Sequence, residues 1–208
     1  MSNKRPSDFH ASLADDRLQF LAQVIARVRR EALDTHDPLN GETNWSLGCR
    51  TYERICYAFV QEAASGDHPW LSVLAENLYF LLRLDGLPIK FYRGKPDEPP
   101  PRALREFKPE ANARQEAFGF ARPKDGGDSR WRLSYETDLD QLVFRATLLR
   151  VNEDGEVCDL WDIPITDIVG ALAPVHSVLG EPVDIPAPEV GFKPSADAEA
   201  SNDDDEKR

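Results

Sequence analysis

Two Asp-Gly dipeptides, Asp85-Gly86 and Asp154-Gly155, stand between alternating apolar segments, and they constrain this chain more than any other feature. Both central residues of a type I′ turn need positive φ. Asp-Gly supplies this at little steric cost, and such a turn joins antiparallel neighbours. Around the first dipeptide the chain reads FLLRLDGLPIKFY, Phe80 to Tyr92. A helix is the rival reading, because Leu71, Leu74, Leu78 and Leu81 have helical spacing and Gly86 suits a helix end. Register favours the hairpin. With the turn at Asp85-Gly86, Leu84 faces Leu87, Leu82 faces Ile89 and Phe80 faces Phe91, so six apolar residues share one face. The other face pairs Arg83 with Pro88, Leu81 with Lys90 and Tyr79 with Tyr92. A slip of one residue would turn every side chain over, so this agreement selects a register.

The same test extends to a second sheet segment. In RWRLSYE, Trp131, Leu133 and Tyr135 alternate with Arg130, Arg132, Ser134 and Glu136. A turn at Asp138-Leu139 sets Tyr135 opposite Leu142, Leu133 opposite Phe144 and Trp131 opposite Ala146. The turn at Asp154-Gly155 sets Leu148 opposite Trp161, Ala146 opposite Ile163 and Arg150 opposite Asp159. Both hairpins share the strand through Leu142–Val151, and their apolar faces agree.

Helices are expected before the strands. Leu18, Leu21, Ile25, Val28 and Ala32 form one apolar stripe after Ser12. Tyr52, Ile55, Cys56, Phe59, Val60 and Ala63 form a second, ending at Ser65-Gly66. A short third helix is expected to open at Asp67-His68-Pro69-Trp70, with proline in its first turn. The fold class that results is α+β: two amphipathic N-terminal helices packed on an antiparallel sheet of about five strands, followed by an acidic, disordered C-terminal tail. In numbers, 1–11 is a flexible N-terminus, and 12–180 is a single domain with helices at 12–35 and 46–65 and a hairpin at 78–93. A proline-rich connection follows at 94–128, with strands at 130–136, 142–151 and 156–163. Residues 181–208 are the tail. Within the connection, Pro101 suits the start of a short helix, and FGF at 118–120 suits a strand. A short helical segment is expected in TDIVGALAP, after Ile165.

Charge is segregated along the chain. Residues 1–82 hold 8 basic and 11 acidic side chains, residues 83–150 hold 14 and 11, and residues 151–208 hold 3 and 15. The middle is therefore basic although the whole chain carries −12. Local fields, not the total, decide what such a surface attracts. A tail this acidic could lie on the basic middle and compete with an anionic partner. There is no secretory signal pattern and no apolar run of the roughly 20 residues that a membrane span needs. Cys49, Cys56 and Cys158 form no Cys-x-x-Cys pair and suit small apolar roles in a reducing cytoplasm.

Catalytic templates are missing: there is no phosphate-binding glycine loop, nucleophile elbow or zinc-binding histidine pair, and no cofactor or metal is called for. Glu136, Asp138 and Asp140 could bind a divalent ion with a distant partner such as His176, although polar residues at a tight turn explain them more simply. The candidate site lies on the polar face of the sheet. In the register above, Arg132 stands opposite Arg145 with Arg130 beside them, and Lys90, Tyr92 and Arg93 come from the first hairpin. Like charges opposed across strands are unfavourable. Either Asp162 neutralises Arg145 locally, or these six residues form a platform for an anion or an acidic partner. Three functions are expected in turn, the first favoured by the missing catalytic templates and the acidic tail. One is a non-enzymatic cytoplasmic binding or regulatory protein working through protein–protein contacts. The others are a nucleic-acid-binding protein using the arginine-bearing face, and a metal-dependent enzyme with a site assembled from distant residues.

Overall fold

The computed structural model describes residues 4–76, 79–118 and 129–165. The elements run α1 (Pro6–Phe9), α2 (Asp15–Asp34), α3 (Asn44–Ser65), β1 (Leu71–Ala75), β2 (Leu81–Leu84), β3 (Leu87–Arg93), α4 (Pro101–Leu104), α5 (Lys108–Phe118), β4 (Arg130–Thr137), β5 (Val143–Val151) and β6 (Val157–Ile163). The six strands form one sheet in sequence order. Every neighbouring pair is antiparallel except β3 and β4, which run parallel. The fold is α+β, with a mixed six-stranded sheet in place of the expected five antiparallel strands.

The two long helices form where the apolar stripes are. Leu18, Leu21, Ile25 and Val28 of α2 join Ile55 and Phe59 of α3 against Leu82, Leu84, Ile89, Phe91, Leu133, Ala146 and Leu148 of the sheet. Removing this apolar surface from water is the main favourable term in the fold. Thr43 caps α3, and Gly66 ends it at φ +81°, a left-handed position suited to glycine.

Glu42, just before that cap, accepts hydrogen bonds from the Asp37 backbone N–H at 2.7 Å and from Arg50, and lies 2.8 Å from His36 Nδ1. The Asp37 N–H first, then Arg50 and His36, hold its carboxyl down to about 2. A depressed carboxylate adds stability above its unfolded value and loses it as pH falls through the folded one. The urea midpoint is therefore expected to fall as pH drops from about 4.5 to about 2, and Glu42→Gln should flatten that part of the profile. An unchanged slope in the variant would show that other carboxylates dominate acid unfolding.

The first hairpin forms as its sequence predicts. Leu84 pairs with Leu87, Arg83 with Pro88 and Leu82 with Ile89. Asp85 and Gly86 have φ of +44° and +97°, as a type I′ turn requires. Phe80 is buried and meets Phe91 edge-on, with ring centroids 6.0 Å apart. The short helix expected from Asp67 is corrected. Leu71–Ala75 is a strand, with Leu71 opposite Leu84 and Val73 opposite Leu82. In so short an apolar run, alternation of Leu71, Val73 and Ala75 competes with helical spacing, and pairing to β2 decides the outcome.

Register between β5 and β6 is also as expected, with Ala146 opposite Ile163, Leu148 opposite Trp161 and Arg150 opposite Asp159. Between β4 and β5 it is not. Tyr135 pairs with Ala146, Leu133 with Leu148 and Arg132 with Leu149, so each partner lies four residues beyond the expected one. The cause is the loop. A two-residue turn was expected at Asp138-Leu139, but the chain makes a wider reversal, with Asp138 N–H on Leu142 O at 2.9 Å and Gln141 N–H on Asp138 O at 3.1 Å. A shift of four is even, so from Arg145 onward each side chain keeps its expected face; at the start of β5 the pairing is irregular, Val143 packs on the core, and Phe144, expected inward, stands in water.

The loops after β4 and β5 have the same design. Asn152 N–H bonds Glu156 O at 3.0 Å, and Gly155 N–H bonds Asn152 O at 3.2 Å. The side-chain oxygens of Asp138 and Asn152 each accept the N–H four residues on, at 2.9 and 2.8 Å. The left-handed position is Gly155 in one loop, at φ +87°, and Gln141 in the other, at φ +64°. Glycine is the ordinary occupant of such a position, and a glutamine there carries strain.

The N-terminal arm, expected to be flexible, is packed from Lys4 onward. Phe9 meets the rings of Trp131 and Trp161 at 6.1 and 5.6 Å, and Trp161 Nε1 donates to Lys4 O at 2.8 Å. Phe118, expected to open a strand at 118–120, ends α5 instead; the rest of that segment, the helical segment TDIVGALAP, His176 and the acidic tail 181–208 lie outside the described residues.

Candidate functional site

The polar face of the sheet is where the sequence placed the site, and the parallel pairing of β3 with β4 completes it. Lys90 stands beside Arg132, and Tyr92 beside Ser134. Arg130 lies on the same face. Arg93 does not, because strand alternation turns it to the side of α2 and α3.

This face is covered. The connection after β3 is not a plain loop but carries α4 and α5, which lie over the sheet. Ala103 packs with Tyr92, Leu149 and Val151 in a second, small apolar cluster, with Leu104 at its edge. Arg132 is 0% exposed. Its Nη1 and Nη2 donate to the two carboxylate oxygens of Glu110 on α5, and its Nε donates to Ala103 O. A bidentate arginine–carboxylate pair is the strong form of this contact, and Glu110 is 1% exposed. Arg130 is turned inward as well. Its Nη1 donates to Leu104 O at 2.8 Å and its Nη2 to Asn152 O and Glu153 O at 2.6 and 3.1 Å, tying α4 to the β5–β6 turn.

Lys90 Nζ donates to Arg102 O at 2.7 Å and lies 4.4 Å from the Phe107 ring centroid. Burial, then the Arg132 charge, push its ammonium down to about 8. Tyr92 donates to Lys95 O at 3.2 Å, and burial pushes its hydroxyl up to about 12. Its ring is buried in the small cluster, so it offers no stacking face.

The opposition of Arg132 to Arg145 is corrected by the observed register. Arg145 stands across from Glu136, with Nη1 on its Oε2 at 3.4 Å. It also grips Asp162 with Nε and Nη2 at 2.9 and 3.2 Å, and these hydrogen bonds hold its guanidinium above the usual arginine value. Local neutralisation by Asp162 is therefore what the structure contains. The six residues divide into a covered set (Lys90, Tyr92, Arg130 and Arg132), a paired edge residue (Arg145), and Arg93 on the opposite side.

The acidic cluster in the β4–β5 loop is likewise engaged. Glu136 meets Arg145, and Asp138 caps the loop through Leu142 N–H. Among the described residues, no three His, Cys, Asp or Glu side chains gather closely enough to hold a metal ion. No helix among them is long and apolar enough to cross a membrane.

Sequence reasoning missed two features. Glu110 sits in a stretch with weak helical patterning, and nothing local shows that it answers an arginine on a later strand. The other is a set of large apolar side chains left in water: Leu39 (98% exposed) and Trp45 (78%) around the α2–α3 connection, and Leu139 (99%) and Phe144 (58%) around the β4–β5 loop. The β4–β5 loop is tied to the two long helices by one arginine. Arg29 of α2 donates to Gln141 O and Oε1 at 2.9 and 3.0 Å and to Thr51 Oγ1 of α3 at 2.9 Å. Thr51 is about 10 Å of helix rise from the start of α3. Comparison of the chain with protein-family models, with curated proteins and with solved structures finds no match.

Proposed function

We propose that this chain is a non-enzymatic cytoplasmic binding or regulatory protein acting through protein–protein contacts. The observation that carries this reading is the exposure of Leu39 and Trp45 around the α2–α3 connection and of Leu139 and Phe144 around the β4–β5 loop. Single exposed apolar residues are common, but each of these segments leaves two large ones in water within a few residues of chain, and exposed apolar patches mark contact surfaces. Tryptophan is the residue type most enriched among interface anchors. The three free thiols suit a reducing compartment. The nucleic-acid alternative loses its footing on the arginine face: Arg130 and Arg132 would first have to leave Glu110 and the carbonyls that hold them.

The test is affinity capture from the native cell extract, with and without nuclease, followed by a binding titration of the retained partner. We expect a partner whose capture survives nuclease, and whose affinity falls about thirtyfold in Trp45→Ala, the effect of a 2 kcal/mol anchor. Folding should be unchanged, because Trp45 stands in solvent. A Trp45→Ala/Leu139→Ser variant that retains the partner as well as the parent would overturn this surface, and capture abolished by nuclease would favour the alternative.

A further inference from the structure

Arg29 is fully buried in the last third of α2, yet every acceptor it uses is neutral. A buried charge ordinarily has an opposite charge beside it. Arg132, the other arginine with no exposure, has Glu110. Among the described residues, Arg29 has no carboxylate. It has two oxygens of one residue: Nε donates to Gln141 O at 2.9 Å and Nη2 to Gln141 Oε1 at 3.0 Å. Nε and Nη2 form one edge of the guanidinium, an edge with which arginine also grips the paired oxygens of a carboxylate or phosphate. Gln141 thus presents to Arg29 what an oxyanion would present.

The loop confirms that Gln141 is an unusual occupant. Its twin after β5 has the same hydrogen bonds and places glycine at the corresponding left-handed position. Loop geometry therefore does not call for glutamine at φ +64°. Contact with Arg29 accounts for it.

The surroundings are cationic. Arg93 closes β3 with its Cα opposite that of Tyr135, and Gly94 N–H bonds Tyr135 O at 3.0 Å. Arg93 is exposed, and among the described residues no ion pair neutralises it. Burial first, and then the nearby Arg93 charge, push the Arg29 guanidinium below its usual value. The place is the carboxyl end of the parallel pair β3 and β4. In open sheets with parallel strands, that end is where ligands collect.

We propose that Arg29 and Arg93 form an oxyanion-binding site that Gln141 closes in the free protein, and that a carboxylate or phosphate group opens it by displacing the Gln141 side chain. The entering anion takes the Nη2 that Gln141 Oε1 vacates, while Nε stays on the Gln141 backbone oxygen, and Arg93 meets the anion from the solvent side. Thr51 Oγ1 keeps its bond to Nη1 throughout and holds the guanidinium in place. Gln141 is half-buried and Arg29 fully buried, so the glutamine is the partner of Arg29 that stands nearer to solvent.

The test uses the full chain and two probes, inorganic phosphate and acetate, each titrated against chloride at matched ionic strength. Backbone amide chemical shifts of Gln141 and Leu142 and the Nε–H signal of Arg29 are the readout. Saturable shifts are expected with one or both probes and none with chloride. Phosphate alone identifies a phosphate site, acetate alone a carboxylate site, and both a general oxyanion site. Gln141→Gly removes the competing oxygen and suits the loop, so it should tighten binding about tenfold, since a charged acceptor replaces a lost neutral one. Arg93→Gln should weaken binding about tenfold, while Arg145→Gln, on the other face, should leave it unchanged. Arg29 is left intact, so the test does not depend on a variant that fails to fold. Shifts that follow ionic strength whatever the anion, or a Gln141→Gly protein that binds no more tightly than the parent, would overturn the site.

Discussion

Replacing Glu110 by alanine is expected to cost about 3–5 kcal/mol of folding stability. The carboxylate is buried and receives both ends of the Arg132 guanidinium, which is itself 0% exposed. Its removal leaves a buried cation with only backbone carbonyls as acceptors, and Lys90 stands beside Arg132 in the register. The reciprocal change, Arg132→Met, should cost less. Lys90 is near enough for Glu110 to oppose the lowering of its pKa, so Glu110 then keeps a cation close by. The double variant Glu110→Leu/Arg132→Met should recover most of the loss, because apolar groups of similar size often replace a buried pair at little cost. Urea unfolding of the parent, Glu110→Leu, Arg132→Met and the double variant closes the cycle. If the double variant is as unstable as Glu110→Ala, the pair is held by packing around α5 rather than by charge. The same measurement bears on the sheet's polar face. Amide exchange in α5 should quicken in Glu110→Ala if this ion pair is what fastens the helix to the strands.

How much of this architecture could be seen beforehand follows from the range of the interactions. The stripes from Leu18 to Ala32 and from Tyr52 to Ala63 are local signals, and both helices form. The Asp85-Gly86 and Asp154-Gly155 reversals are local too, and their strands pair in the expected register. Asp138-Leu139 misled because a polar turn does not announce its length. Four residues of slippage moved Arg132 from Arg145 to Leu149 while leaving the faces from Arg145 to Val151 as read. The features that remained hidden are those joined across long stretches of chain. They include the parallel contact of β3 with β4, the return of α5 over the sheet, and Glu110 answering Arg132. Six cationic and aromatic residues were read as one outward platform because their covering element was taken for a connection. A basic strand face followed by a segment carrying Glu106 and Glu110 was the only available sign that the chain might supply its own counter-ions. Arg29 gave no sign at all, since an arginine late in a helix is ordinarily explained by the helix dipole.

The remaining large effect concerns the strand that holds the two halves of the sheet together. β3 pairs antiparallel with β2 and parallel with β4, so it joins the first hairpin to the last three strands. Phe91 is its central anchor on the helical side. Its ring lies 5.4 Å from Tyr52, 5.9 Å from Phe59 and 6.0 Å from Phe80, measured between centroids. Two of those partners come from α3 and one from the chain just before β2. Phe91→Ala removes a buried ring and leaves a cavity where three elements meet, which should cost about 3–5 kcal/mol. Phe91→Leu keeps much of the volume and loses only ring contacts, so its cost should be about 1–1.5 kcal/mol. Trp45→Ala, at an exposed site, should change stability by less than about 0.5 kcal/mol in the same urea titration. If Phe91→Ala lowered stability no more than Phe91→Leu, the neighbours would be relaxing into the space, and β3 would not be the rigid seam described above. If it instead lowered the steepness of the transition together with the midpoint, the first hairpin would be separating from the last three strands before the rest unfolds. Either outcome would show whether the central parallel pair is held by its register or by this cluster of rings.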